Sequence, residues 1–367
     1  MDDWLECTLG DFITLRRGYD LPKQNRCEGI YPVLSSSGVS GFHNEYMVQS
    51  DGVVTGRYGT IGEVFYCIGP HWPLNTTLYV DDFRGNSKKF VYYFMKTLNW
   101  KSFSIASAVP GINRNHVHRL PVRVPPLSTQ HTIAAILSAL DDKIDNNNRI
   151  NRHLEQIAQG IFKSWFLDVS PQMVRLGSVC QCILGGTPSR SRVDFWDGNI
   201  PWINSGKVNE YRIINPSEWI TDLGLINSAT KLLPKKTTVI AITGATLGQV
   251  SLLEIDSCAN QSVVGVVPNE EFPYTFIYPF VKDNIEKLLI HKTGGAQQHI
   301  NKQNIENIDF PRYPQKTIDD YDIVVRPVLD LIALNCFVSE KLSYIRDTLL
   351  PRLLSGELSV SDLPDIS

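Results

Sequence analysis

The chain has 367 residues, of which 43% are hydrophobic, 20% charged and 10% aromatic; this excludes a disordered or low-complexity protein and leaves room for two domains, or one with an accessory piece. Its 35 Lys and Arg against 38 Asp and Glu give a formal net charge of -3, which excludes a uniformly cationic coat, so any nucleic-acid contact has to come from local patches. Seven scattered cysteines, an acidic start at Met1–Glu6 and the lack of any apolar run near the roughly 18 residues of a membrane span lead to the expectation of a soluble cytoplasmic chain with reduced thiols, no signal peptide and no membrane association.

In chain order, residues 1–125 are rich in Gly, Pro and aromatics, with short β-branched runs such as Gly52-Val-Val-Thr55. Such runs bounded by Gly and Pro predict short strands, and Lys88 to Asn99 predicts a short helix between them, so the segment is expected to be a mixed α/β module. Pro121 to Pro126 close it, as a helix start would want. Over residues 126–170 apolar side chains then recur at Ile133, Leu137, Leu140, Ile144, Leu154, Ala158, Ile161 and Trp165, with Asn147 and Asn151 filling the gap. Alternating steps of four and three describe an a/d seam on one long helix. An amphipathic helix lying on a globular domain would show the same spacing, and the second copy described next favours helix pairing.

Residues 171–316 repeat the first module. Met173-Val-Arg-Leu-Gly177 answers Trp4-Leu-Glu-Cys-Thr-Leu-Gly10, Ile200-Pro-Trp-Ile-Asn-Ser-Gly206 answers Tyr31-Pro-Val-Leu-Ser-Ser-Ser-Gly38, and Ala245-Thr-Leu-Gly248-Gln-Val250 answers Gly59-Thr-Ile-Gly62-Glu-Val64. Later, His299-Ile-Asn301 answers Gly111-Ile-Asn113. The offset grows from 167 to 188, so the second copy carries 21 more residues between shared landmarks. Residues 317–367 repeat the seam at Tyr321, Val325, Val328, Ile332, Leu342, Arg346, Leu349 and Leu353, with Asn335 and Ser339 in the places of Asn147 and Asn151. A polar layer in an apolar seam lowers stability but fixes register. Pro327 lacks a donor and is expected to kink this helix or delay its start, and Pro351 to disturb its end. By segment the net charges are +2 for 1–125, -1 for 126–170, +1 for 171–316 and -5 for 317–367, as expected of modules that face nucleic acid and helices that face protein.

Catalytic motifs are absent. Gly56-Arg-Tyr-Gly59-Thr-Ile-Gly62 has the glycines of a phosphate loop but no following Gly-Lys-Ser/Thr, so it reads as a glycine turn. Pro125-Pro126 lacks the flanks of an amino-methyltransferase motif. Cys180 with Cys182 and His116 with His118 are isolated pairs, so no metal is expected. Asp141-Asp142 and Asp319-Asp320 are expected at helix starts, complementing the dipole. What the loops hold instead are hydrogen-bonding side chains of the kinds that suit base edges and phosphates. The candidates are Arg57, Tyr58, Thr60, Lys101, Asn113, Arg114 and His116 in the first module. In the second they are Arg190, Arg192, Asn204, Lys207, Thr243, Lys292, Gln297, Gln298, His299 and Lys302.

Further residues carry a family likeness: Gly185-Gly-Thr-Pro-Ser189, Asn199-Ile-Pro-Trp-Ile-Asn204, Ile242-Thr-Gly-Ala-Thr-Leu-Gly248 and Ala259-Asn-Gln261. To these belong Leu127-Ser-Thr-Gln-His-Thr-Ile133, Leu140-Asp-Asp-Lys-Ile144 and the run Leu349-Leu-Pro-Arg-Leu-Leu-Ser-Gly-Glu-Leu358. Over nearly the whole chain they resemble the specificity subunit of Type I restriction–modification enzymes; Pro327 and the weaker opening Gln315-Lys-Thr-Ile318 depart from the pattern. The resemblance implies an α+β chain: two similar mixed α/β target-recognition domains (1–125 and 171–316), separated by two long helices (126–170 and 317–367) that form an antiparallel coiled coil, with a pseudo-twofold internal repeat. It implies a subunit with no catalysis and no cofactor of its own, in which each module reads one half of a split, asymmetric target on double-stranded DNA. Partners would be two modification subunits carrying S-adenosylmethionine and restriction subunits using ATP and Mg²⁺. Ile133 to Trp165 would span about 48 Å as a helix, enough to hold the modules about one DNA turn apart. Two alternatives stay open: a freestanding DNA-binding regulator on the same scaffold without a methyltransferase partner, and an enzyme of unrecognised type.

Overall fold

A computed structural model describes residues 4–105, 111–290 and 300–360. The chain divides into two compact units, residues 1–144 with 341–367, and residues 145–340.

In the first unit Leu5–Thr8 pairs antiparallel with Pro121–Val124, tying the two ends of the module together. Thr8 and Asp11 form a capping box that starts the short helix Leu9–Phe12. A four-stranded antiparallel sheet follows in the order Thr14–Arg17, Thr77–Asp82, Gly52–Gly56, Val64–Cys67. A smaller sheet runs Gly38–His43, Tyr31–Ser35, Trp72–Pro73, its last pair parallel. The helix Lys88–Thr97, capped by Ser87, turns Phe90, Val91 and Phe94 onto Leu9, Phe12, Ile13 and Val53. The expected helix from Lys88 is therefore present.

The second unit is built in the same order. Gln172–Arg175 pairs with Asp309–Arg312, and a short helix Leu176–Val179 follows. The larger sheet runs Gln181–Leu184, Val263–Val267, Thr238–Ala241, Val250–Leu252, the same succession as in the first unit. The smaller one runs Glu218–Ile220, Trp196–Ile203, Ser257–Ala259, Leu232–Leu233, again with one parallel pair. The repeat in sequence is thus a repeat in topology. Extra residues of the second copy add the edge strand Leu232–Leu233 and lengthen the link between the first two strands of the small sheet, which is residues 36–37 in one copy and 204–217 in the other.

Two long helices, Leu127–Trp165 and Gln315–Ser355, carry the seams. In the first unit Ile133, Ala134 and Leu137, from the start of one helix, share a core with Leu350, Leu353 and Leu354, from the end of the other. In the second unit Leu154, Ala158, Phe162 and Trp165 share a core with Ile318, Tyr321, Val325, Leu329 and Ile332. Start meets end in both, so the pair is antiparallel. Those that are fully buried, such as Leu137, Leu353, Val325 and Ile332, contribute about 1.5–3 kcal/mol each, and the half-buried Leu154, Phe162 and Trp165 cover them. Two expectations need correction. The second helix begins twelve residues ahead of Pro327 and continues through it and Pro351 to Ser355. Pro327 is exposed, so the carbonyl it leaves unpaired faces water while Tyr321, Val325 and Leu329 hold the opposite face in the core. Asp141 is not at a helix start but four turns inside the first long helix, where it accepts from Tyr93 Oη and Arg346 Nη1, both at 2.6 Å.

Candidate nucleic-acid interface

In the first unit the fully buried strand Gly52–Gly56 leads straight into Arg57 and Tyr58, whose N–H groups both donate to the Thr76 carbonyl, at 2.8 and 3.2 Å. Arg57 Nε donates to the Ile112 carbonyl at 3.2 Å, and its guanidinium lies 4.6 Å from the centre of the Tyr58 ring. Tyr58 bridges to Gly111, where a Cβ would come within 2.1 Å of Tyr58 Cε1; only glycine allows this approach. Asn113 accepts from Asn115 N–H at 3.0 Å and so caps the helix Arg114–Val117, leaving Arg114, Asn115 and His116 exposed in its first turn.

These residues line an open cleft of about 390 Å³ that gathers Arg17, Arg57, Tyr58, Gly111, Asn113, Arg114 and Asn115. Arg57 and Arg114 have no ion pair among the described residues, and Arg17 has only the exposed Asp20 at 3.6 Å. The cleft therefore presents uncompensated positive charge beside amide and phenol groups. Thr60 and Lys101 are exposed and do not line it. Arg17 escaped the sequence reading because it closes a strand instead of standing in a glycine-rich loop; the pair Arg16-Arg17 just before Gly18 was its signal. The nearby His118 is occupied structurally: its Nε2 accepts from Leu15 N–H at 2.9 Å, and burial lowers its pKa, keeping the ring neutral as that acceptor role requires.

The second unit builds the same junction on the same Ile-Asn pair, with Ile242 and Thr243 in the places of Arg57 and Tyr58. Ile300 N–H donates to the Ile242 carbonyl at 3.2 Å, and Asn301 with Asn304 forms a capping box on the helix Lys302–Glu306. Thr243 lies beside this junction, half-buried. The charged candidates here are held by carboxylates. Arg190 makes two bonds to Glu218, the longer at 2.8 Å, and stacks 3.7 Å from the Trp196 ring centre. Arg192 pairs with Asp194, Lys207 with Glu210 (both at 2.6 Å) and Lys302 with Glu306 (3.2 Å). Asn204 accepts from Lys207 N–H as a cap. Lys292, Gln297, Gln298 and His299 lie outside the described residues.

The polar layer lies at the middle of the helix pair. Asn147 Nδ2 donates to Ser339 Oγ at 3.1 Å, and Asn335 Nδ2 donates to Asn151 Oδ1 at 2.8 Å. Each asparagine thus meets the counterpart of its neighbour in the repeat, as antiparallel packing of two equivalent helices requires. On the outer face of the second long helix Val324, Leu331, Leu334, Phe337 and Val338 are exposed at seven- and three- to four-residue steps, an apolar stripe separate from the seam. Among the described residues no group of three His, Cys, Asp or Glu could hold a metal, and no helix is long and apolar enough to cross a membrane.

Comparison with known proteins agrees with this layout. A family described as Type I restriction modification DNA specificity domain matches residues 1–156 and again 170–319. The Type I restriction enzyme HindI specificity subunit of Haemophilus influenzae is 25% identical over 334 residues, covering 70% of this chain and 72% of that protein. The MjaIX specificity subunit of Methanocaldococcus jannaschii is 25% identical over 307 residues, covering 76% and 71%. Among solved structures, the Type I restriction–modification S subunit from M. genitalium shares the fold, with a TM-score of 0.64 at 18% identity over 99% of this chain and 97% of that one.

Proposed function

The chain belongs to the Type I restriction modification DNA specificity family, and from that premise we propose that it is the DNA-reading subunit of a restriction–modification complex, each module recognising one half of a split, asymmetric target. The observation that carries this is the duplication of one topology with partly different loop chemistry: Asn113 and Arg114 are answered by Asn301 and Lys302, but Arg57 and Tyr58 by Ile242 and Thr243. Two similar readers bearing unlike side chains suit two unlike half-sites. In the first module Arg17, Arg57 and Arg114 supply charge for phosphates or guanine edges, with Asn113 and Asn115 for adenine. In the second, Arg190, Arg192, Lys207 and Lys302 would exchange their carboxylates for phosphate on binding, which lowers the net gain from each contact.

Catalysis lies with the partners on this account: two modification subunits carrying S-adenosylmethionine, and restriction subunits using ATP and Mg²⁺. The exposed stripe Val324, Leu331, Leu334, Val338 supports docking of an apolar partner face on the second long helix. Leu334→Asp with Val338→Asp is expected to abolish co-purification with the modification subunit while leaving the thermal melt of the chain in place; undiminished co-purification would refute this docking face. The half-site assignment is tested by Arg57→Ala and Arg114→Ala in the complex. Each should weaken binding by about 1–3 kcal/mol where it reads a base, or lower the salt slope by about 1 where it meets a phosphate. Base preference should relax in one half-site only. Relaxation in both halves, or in neither with an unchanged salt slope, would refute it.

A further inference from the structure

In the second unit Arg212 carries its charge on a side chain with no solvent exposure. Its Nη2 donates to Glu155 Oε2 of the first long helix at 3.0 Å, and its Nη1 donates to the Tyr278 hydroxyl and the Tyr211 carbonyl, both at 2.9 Å. The guanidinium lies 4.5 and 4.6 Å from the ring centres of Tyr211 and Tyr278. Glu155 also accepts from Lys282 Nζ at 2.7 Å and from Tyr211 Oη at 2.9 Å. On the other side, buried Glu254 stands 3.7 Å from Arg212 Nε and 2.8 Å from Lys236 Nζ. Lys236 in turn reaches Asp330 of the second long helix at 2.9 Å, where Tyr274 Oη also donates. One chain of alternating charges therefore runs from the first long helix, through the module, to the second.

Apolar faces slide by small steps at modest cost, whereas a buried ion pair is strongly penalised once a partner is displaced. A buried pair gains little net stability over an apolar contact, so its distinctive effect is to admit one geometry. Arg212 and Tyr211 stand in the link of residues 204–217, which the first copy reduces to residues 36–37. In the first unit the described contacts include no buried arginine from the module in this place; the module is tied to the helix there by uncharged donors and amides, Tyr93 on Asp141 and Gln130 with Ser87 and Asn86.

We infer that the chain Glu155–Arg212–Glu254–Lys236–Asp330 positions the second recognition module on the helix pair and so sets the gap at which its half-site is read. This rests on the reading of the protein as a bipartite DNA-specificity subunit. None of the five touches DNA in it; they are positioning residues.

The test uses the full chain with its modification partner and duplexes carrying both half-sites at the preferred gap and at gaps one or two base pairs longer or shorter. Two variants are compared: Lys236→Met with Asp330→Asn at the partly exposed end, and Arg212→Met with Glu155→Gln and Glu254→Gln, which removes the buried charges together. Both should lose discrimination between the preferred and altered gaps several-fold, with base preference within each half-site unchanged. If the triple variant does not fold, the Lys236 and Asp330 pair carries the test alone. A folded variant that keeps the original gap discrimination, or that weakens equally at every gap, would overturn the inference. An unsubstituted complex with no split target at all would overturn the parent reading, and this inference with it.

Discussion

Gly111 shows how tightly the candidate cleft is specified at the scale of one residue. With a Cβ meeting Tyr58 Cε1 at 2.1 Å, Gly111→Ala has to push the ring, and with it Arg57, out of the cleft. The variant is expected to lose recognition of one half-site while the thermal melt falls by little; retained recognition of both would contradict the proposed site. Glu155 allows a pH prediction. Burial works against its ionised form, but Arg212 and Lys282 outweigh it and hold the pKa down at about 2 from an ordinary 4.5. Its stabilising effect is therefore complete above 4.5 and is lost as pH falls through about 2. Glu254, pushed up by burial against the pull of Lys236 and Arg212, acts with the opposite sign and softens that fall. Glu155→Gln should cost about 3–5 kcal/mol near neutrality and flatten the acid loss in a denaturation series; parallel pH curves would contradict it. Loop residues such as Arg57, Asn113 and Arg114 were legible because glycine turns and polar clusters mark them. Carboxylate partners such as Glu218 for Arg190 were not, since only the folded sheet brings residues 28 apart in sequence together. Arg212, set between Tyr211 and Ile213-Ile214, gives no sign of burial in the sequence.

Among the elements, the seam was legible because a seven-residue spacing survives in both copies, and Ile133, Leu137, Tyr321, Val325, Ile332 and Leu353 are buried along it. Equivalence by repeat aligns Asn147 with Asn335, yet the packing pairs Asn147 with Ser339 and Asn151 with Asn335. That exchange follows from antiparallel geometry, which spacing within one helix does not contain. Proline was misleading for a related reason: its local cost of about 3 kcal/mol is fixed, but whether it breaks a helix depends on which face it occupies. At an exposed position opposite Tyr321 and Val325, Pro327 is tolerated. Pro327→Ala is accordingly expected to raise the thermal midpoint by restoring a donor toward the Ile323 carbonyl; a lowered midpoint would mean that the helix needs the proline's shape.

For the whole molecule, a net charge of -3 spread over 367 residues conceals weakly basic modules and acidic helices. DNA binding should accordingly fall steeply with salt, by about 0.9 log unit per log unit of salt for each phosphate neutralised. Fold class was legible because the chain is written twice: shared landmarks in a common order turn weak matches into one topology. Target bases were not legible, since they depend on which loop side chains point at a groove. The central claim is that two unlike modules read two unlike half-sites. Methylome sequencing of a host expressing this chain with its modification partner tests it most directly. Methylated adenines are expected in a split, asymmetric motif with one fixed gap. Methylation in a continuous or palindromic motif, or with no dependence on this chain, would contradict it.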